Sequence, residues 1–277
     1  MTYRQLYDYG VMQLTDAGIE EAALDARILL EYICHTDRNA LLVYGGTQRS
    51  KEEEECYQAV IEKRVARIPL QHITGEQEFM GLCFKVNEHT LIPRQDTEIL
   101  VEHAGKHLKE GMRILDMCTG SGCILLSLLK YHKSCMGLGV DVSEKALAVA
   151  KTNAKNLDIE ADFIQSDLFT NVDGKFDMIV SNPPYIRTAV IETLMPEVRE
   201  HEPMQALDGF EDGLYFYKKI VEASKDFLYN GSWLLFEIGY DQAEEVSGLM
   251  EKAGFQQVEV IKDYAGLNRV VKGLFVI

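Results

Sequence analysis

Between residue 113 and the C-terminus, short apolar runs alternate with helix-length amphipathic segments. That alternation restricts the chain to a mostly parallel sheet with helices on both faces. Strands are expected over 113–116, 137–141, 162–165, 176–180, 233–238, 257–261 and 269–276, the last two forming a closing antiparallel pair. Helices are expected over 123–131, 143–156, with Ser143 as N-cap, 214–228 and 242–253. In such doubly wound folds ligands sit beyond the carboxyl ends of the strands. The residues that follow each strand are therefore where function is to be sought.

The first 72 residues carry a different pattern. Leu6, Tyr9, Gly10 and Leu14 follow helical spacing, with Gly18 as a stop, and Leu24, Ile28, Leu29 and Ile33 mark a helix over 22–34. Residues 41–44 read as a short helical turn. Ser50 and Glu53 have the spacing of a capping box that opens a third helix, which stops before Pro69. A small helical bundle is expected over 1–72. It has no catalytic signature, which leaves recognition of a partner as its role. Phe79, Leu82, Phe84 and Val86 flank Met80-Gly81 as in a β-hairpin, so 73–92 is a connector. The second domain, 93–277, opens with a helix headed by Asp96 and Glu98.

Composition narrows the class. The six cysteines have no C-x-x-C spacing and the seven histidines are dispersed, so neither a disulfide framework nor a metal site is expected. No apolar run approaches the ~18–20 residues of a membrane span, and Met1-Thr2-Tyr3-Arg4 lacks the apolar core of a signal peptide. A cytoplasmic location is expected. A net charge of −16 argues against a grip on nucleic-acid phosphates, so no stable nucleic-acid binding is expected.

Two stretches at strand ends carry chemistry. In Ser181-Asn182-Pro183-Pro184-Tyr185 the paired prolines cannot extend a sheet ladder, because neither has an N–H. The chain must leave the strand extended, with backbone carbonyls left free. The Asn182 amide adds an acceptor and Tyr185 an aromatic face. Together they suit a planar group with N–H donors, an amide or an exocyclic amine. Upstream, Asp116-Met117-Cys118-Thr119-Gly120-Ser121-Gly122 joins the first strand to its helix, where backbone can approach a ligand and helix N–H groups are free. It lacks the full G-x-G-x-x-G spacing of a dinucleotide site and the lysine of a P-loop. Asp141 ends the second strand, where a carboxylate can hold ribose hydroxyls or cap the turn. Asp167 and Leu168 follow the third strand, where they can meet an adenine or form a simple turn.

A glycine loop, a ribose acid, an adenine pocket and an amine clamp on successive strands resemble the class I S-adenosylmethionine-dependent methyltransferases. A closer resemblance rests on Ile73-Thr74-Gly75, Glu78-Phe79, Leu91 to Glu98, Asp116 to Gly122, Asn182 to Tyr185, His201-Glu202-Pro203, Ala206 to Gly209 and Asp212-Gly213-Leu214. In this order they resemble the peptide chain release factor glutamine methyltransferases (the HemK/PrmC family), over a match that runs from about residue 70 to the C-terminus. The resemblance implies a Rossmann-like seven-stranded methyltransferase sheet behind a helical domain. It implies methyl transfer from S-adenosylmethionine to the amide nitrogen of the Gly-Gly-Gln glutamine of class I release factors, leaving S-adenosylhomocysteine and needing no metal. Cofactor contacts are implied for Asp116, Cys118, Thr119, Gly120, Ser121, Gly122, Asp141, Asp167, Leu168 and Asn182. Substrate contacts are implied for Asn182, Pro183, Pro184 and Tyr185, with Asn182, Pro183 and Tyr185 catalytic. The family usually has Gly where Cys118 stands. Two alternatives share parts of the pattern: an adenine-N6 nucleic-acid methyltransferase acting on a flipped base, and a non-catalytic cofactor-binding scaffold.

Overall fold

The alternation after residue 113 folds, in a computed structural model that describes residues 1–277, into one seven-stranded sheet. A separate hairpin precedes it, β1 (Glu76–Phe79) paired antiparallel with β2 (Leu82–Lys85) about Met80-Gly81. The sheet contains β3 (Arg113–Met117), β4 (Met136–Asp141), β5 (Asp162–Gln165), β6 (Phe176–Ser181), β7 (Leu228–Glu237), β8 (Gln256–Lys262) and β9 (Asn268–Phe275). Their spatial order is β5-β4-β3-β6-β7-β9-β8. Neighbours are parallel except β9, which is antiparallel to both β7 and β8. This is the Rossmann-like methyltransferase fold.

Residues of the central strands alternate between two cores, as the two-residue period of a strand requires. Ile114, Met178, Val180, Leu235 and Val270 face the hairpin and the helices Gln95–Gly105 and Cys123–Tyr131. Leu115, Ile179, Leu234, Phe236 and Val271 face the helices Tyr215–Phe227 and Ala243–Lys252. Strand β7 begins five residues earlier than its apolar run indicates. Leu228 pairs with Phe176, and the register shifts before Met178 meets Trp233, so the polar stretch at 229–232 is carried by an irregularity in the β6–β7 pairing.

Residues Met1–Gly75 form a compact unit together with Met195–His201, and Glu76–Leu194 with Glu202–Ile277 form the other. The helical unit is built from Tyr3–Asp16, Ala22–Cys34, Arg38–Val43, Lys51–Val65 and Leu70–Thr74 around Leu6, Leu14, Leu29, Leu30, Tyr57 and Ile61. Ser50 and Glu53 close their capping box reciprocally. Met195–His201 joins this unit through charge. Buried Arg64 donates to Asp25 at 2.8 Å and to Glu197 at 3.0 Å, and Arg67 donates to the same Glu197 oxygen at 3.1 Å. A buried charge costs several kcal/mol unless it is paired; here a carboxylate from a segment some 130 residues away completes the set.

Candidate active site

The strand order reverses between β3 and β6. From β3 the chain crosses to β4 on one side, and from β6 to β7 on the other. A crevice opens at such a switch point because the two connections leave in opposite directions. Here it is a cavity of about 760 Å³. Met117 to Ser121 wall it from the end of β3 onward, Asp141 at the end of β4, Asp167 and Leu168 beyond β5, and Asn182 and Pro184 beyond β6.

The glycine loop is held by the two acids that sequence reading singles out. The Thr119 hydroxyl donates to Asp116 Oδ2 at 2.6 Å, and the Thr119 N–H donates to the Val140 carbonyl at 2.9 Å. The Gly120 N–H donates to Asp141 Oδ2 at 2.9 Å, and Asp141 Oδ1 accepts from the Ser143 N–H at 2.9 Å. Asp141 therefore caps its own strand–helix turn and ties the loop to it, while the cavity wall still includes it. Cys118 sits at φ 64° and Leu168 at φ 48°, the left-handed region that costs side-chain-bearing residues energy. Asn153, fully buried on the helix Glu144–Leu157, joins three parts. Its Oδ1 accepts from Lys85 N, and its Nδ2 donates to the carbonyls of Lys85 and Ser121.

Burial sets the electrostatics. Asp116 is fully buried, and desolvation raises its carboxyl to about 7 against the opposing bonds from Thr119 and the Leu125 N–H. Its Oδ1 has no partner. Burial also raises Asp141, opposed by the N–H groups of Ser143, Gly120 and Val142. Burial, with Asp141 and Asp116 nearby, pushes the Cys118 thiol far up, so it is neutral and no nucleophile.

The Asn-Pro-Pro-Tyr segment is fixed from several sides. Ser181 Oγ donates to the Met117 carbonyl at 2.6 Å, locking β6 to β3 at the cavity floor. Asn182 Nδ2 donates to Thr97 Oγ1 at 3.4 Å. The Tyr185 hydroxyl donates to buried Glu237 Oε1 at 3.4 Å, and its carbonyl accepts from Gln242 Nε2 at 3.0 Å. Beyond the motif, Ile186 exchanges backbone bonds with Leu207 and Gly209, and the Thr188 N–H donates to the Phe210 carbonyl. The approach is so close that a Cβ on Gly209 would lie 2.8 Å from Tyr185 Cα, and one on Gly213 2.4 Å from the Tyr185 oxygen. Only glycine fits at either place. This zipper lays Met204, Phe210, Tyr215 and Phe216 along the cavity.

Of the residues singled out from sequence, Cys118, Thr119, Gly120, Ser121, Asp141, Asp167, Leu168, Asn182 and Pro184 line the cavity. Asp116 lies beneath the loop, Gly122 caps the helix Cys123–Tyr131, Pro183 is buried, and Tyr185 stands outside the cavity wall with its hydroxyl on Glu237. Sequence reading missed Thr90, Arg94 and Thr97, which line the cavity from the segment before β3, and the Met204–Phe216 side. Arg94 is held by buried Glu202. Glu237, Gln242 and Asn153, behind the wall, were also missed. The Arg94 and Gly209 stretches stand inside motifs that carry the resemblance, which was the available signal; Asn153, Glu237 and Gln242 carried none.

The cavity suits a nucleoside with a charged side chain. It offers the N-terminal end of a helix that no side chain caps, the Asp141 carboxylate at the end of β4, and apolar walls from Leu168 and Ile124. Fold and site define a methyltransferase. The family model for the PrmC N-terminal domain matches residues 5–75, and that for the methyltransferase small domain matches 94–198. A release factor glutamine methyltransferase of Geobacter sulfurreducens is 41% identical over 98% of this chain and 96% of its own. One of Caulobacter vibrioides is 40% identical over 95% and 92%. A solved methyltransferase from Pyrococcus furiosus shares the fold at 20% identity and TM-score 0.58, over 78% of this chain and 100% of its own. The chain belongs to the release factor glutamine methyltransferase family and is an S-adenosylmethionine-dependent protein-glutamine methyltransferase. No helix is long and apolar enough to cross a membrane.

Proposed function

We propose that the acceptor is the side-chain amide nitrogen of the glutamine in the Gly-Gly-Gln motif of class I release factors, with S-adenosylhomocysteine as the second product. The observation that carries the reading is the Asn182 amide. Its NH₂ is taken by Thr97, which turns its oxygen free as an acceptor at the cavity edge. An amide nitrogen is a poor nucleophile because its lone pair is delocalised into the carbonyl. Asn182 Oδ1 and the Pro183 carbonyl accept hydrogen bonds from the two N–H groups, and Tyr185, held on Glu237 outside the cavity wall, braces the motif that presents them. The nitrogen is thereby aimed along one line of approach. When bound, S-adenosylmethionine supplies an electrophilic methyl on a sulfonium whose leaving group is a neutral thioether. Asp141 would hold its ribose hydroxyls, Asp167 and Leu168 would meet its adenine, and Cys118 to Gly122 would surround the remainder, with Asp116 supporting the loop. The N–C bond forms as the S–C bond breaks, and one amide proton passes to solvent. Positioning and electrostatics supply the acceleration, and a sulfonium needs no metal to activate it.

The segments 1–72, 73–92 and 93–277 divide the work as recognition domain, connector and catalytic domain. The helical unit exposes Leu42, Val43 and Tyr44 at 60 to 71%, an apolar surface suited to a protein partner. Leu42→Asp with Val43→Asp should raise KM for release factor about tenfold at unchanged kcat; an unchanged KM would remove this surface from the account. The protein works in the cytoplasm, on protein and without stable nucleic-acid binding. Tandem mass spectrometry of release factor after reaction tests the acceptor. One added methyl on the Gly-Gly-Gln glutamine is expected; a methyl on any other residue would refute the assignment.

A further inference from the structure

We propose that Glu237 is a positioning residue that, through Thr97, fixes which way the Asn182 amide faces; this rests on the reading of Asn182 as the acceptor clamp. Glu237 ends β7 and is 2% exposed. It does not line the cavity, so it touches neither acceptor nor methyl donor. Both ends of the Asn-Pro-Pro-Tyr motif nevertheless converge on it. The Tyr185 hydroxyl donates to its Oε1 at 3.4 Å. Thr97 stabilises the charged form of its carboxylate, and Thr97 Oγ1 accepts from Asn182 Nδ2 at 3.4 Å.

The polarity of this relay is what matters. A hydroxyl has one proton and two lone pairs. An ionised Glu237 draws the Thr97 proton toward itself, so Thr97 presents a lone pair to Asn182. Only the NH₂ end of the Asn182 amide satisfies that lone pair, and the carbonyl end is turned toward the acceptor glutamine. A protonated Glu237 no longer imposes this direction, and the amide is free to turn its NH₂ outward, where it repels the acceptor's N–H groups.

The surroundings allow the carboxyl to change state. The charged and titratable groups around it are Arg269 on β9, Asp96 on the helix Gln95–Gly105, Tyr185, Tyr217, whose hydroxyl donates to the Glu237 backbone carbonyl at 2.8 Å, and Cys123 at the head of the helix Cys123–Tyr131. Arg269 is itself shared with Asp96 at 3.0 Å and Asp263 at 3.1 Å, so its charge is not spent on Glu237 alone. Burial is the largest influence and, with Asp96, holds the carboxyl up at about 7 against Thr97, Arg269 and Tyr185. Its Oε2 has no hydrogen-bond partner, which leaves one oxygen to carry a proton. The charged form is the productive one. Turnover is therefore present above about pH 7 and lost as the pH falls through it.

The test compares wild type with Glu237→Gln, Thr97→Val and Thr97→Ser. S-adenosylhomocysteine binding and thermal melting establish that each variant is folded. Glu237→Gln and Thr97→Val are expected to lower kcat about tenfold or more, with KM for release factor within about threefold. Glu237→Gln is also expected to erase the rising limb of kcat near pH 7, and Thr97→Ser to restore kcat. In parallel, the side-chain ¹⁵N–¹H resonances of Asn182 in the free protein should shift with pH, with a midpoint near 7, in wild type but not in Glu237→Gln or Thr97→Val. A Glu237→Gln enzyme with wild-type kcat and pH profile would overturn the proposal, as would a Thr97→Ser enzyme no better than Thr97→Val. If wild type failed on release factor, the acceptor assignment would fall separately. The Asn182 resonances would still decide the relay, and their indifference to Glu237 would overturn it.

Discussion

Gln242 grips the carbonyl of Tyr185 from the side away from the cavity. Its Nε2 donates to Tyr185 O at 3.0 Å and to Gly213 O at 3.2 Å, while its Oε1 accepts from the Gly239 N–H at 3.0 Å. One buried amide thus ties the end of the Asn-Pro-Pro-Tyr segment to the loop after β7 and to the glycine turn before the helix Tyr215–Phe227. Gln242→Ala strands three backbone groups, each costing about 1–3 kcal/mol when buried. Urea unfolding is expected to show a loss of about 3 kcal/mol, and kcat a fall of about tenfold. A loss below about 0.5 kcal/mol would show that water replaces the side chain and that the grip is dispensable.

Asn182→Ala removes the proposed acceptor of one amide proton. Methyl transfer is expected to drop on the order of 10²-fold, with S-adenosylmethionine affinity changed less than about fivefold. Isothermal titration and initial rates separate the two effects. Activity within about threefold of wild type would remove Asn182 from the clamp.

Cys118 at φ 64° opposes two energies of similar size. Relieving left-handed strain favours glycine by about 1–2 kcal/mol, and the freer unfolded chain of a glycine variant costs about 1 kcal/mol. Cys118→Gly is expected to unfold within about 1 kcal/mol of wild type and to keep its cofactor affinity. Cys118→Val puts a β-branched side chain at positive φ and is expected to lose about 2 kcal/mol or more. Equal stabilities for the two variants would mean that the backbone here relaxes out of the left-handed region.

The buried acids make stability depend on pH in a stated direction. Asp116 and Glu237 sit at about 7 in the fold, against ~4 in an unfolded chain. The folded state holds the extra protons, so the stability these groups confer is complete below pH ~4 and is lost as the pH rises through about 7. From pH 5 to 7 each is expected to withdraw on the order of 1–2 kcal/mol. Urea unfolding of Asp116→Asn should show a shallower fall over that window than wild type, a comparison that cancels the opposite trend of His103 and His107, whose pKa values burial lowers. Parallel curves would place Asp116 in contact with water.

Much of the catalytic unit is legible because its signals are local. The apolar run and flanking glycine set the helix Cys123–Tyr131, and Ser143 caps the helix Glu144–Leu157. The glycine loop, Asp141 and Asn182 are legible because each stands at or just beyond the end of a strand, where the fold puts its ligands. What was not legible depends on partners far along the chain. Glu197 reads as one more surface acid until it meets Arg64, and Gln242 reads as the first residue of a helix until it meets Tyr185. The position of Asp141 suits two roles, ribose holder and turn cap; the fold gives it the turn by two hydrogen bonds and also sets it in the cavity wall. The short helix Met204–Leu207 escapes periodicity because four residues are too few to show any.

The central claim is an amide clamp that presents one glutamine for methylation. Its most direct test is transfer of labelled methyl from S-adenosylmethionine to three substrates: a class I release factor, the same factor with its Gly-Gly-Gln glutamine changed to alanine, and duplex DNA. Label is expected on the unaltered factor alone. Label on the glutamine-lacking factor, or on DNA, would contradict the claim.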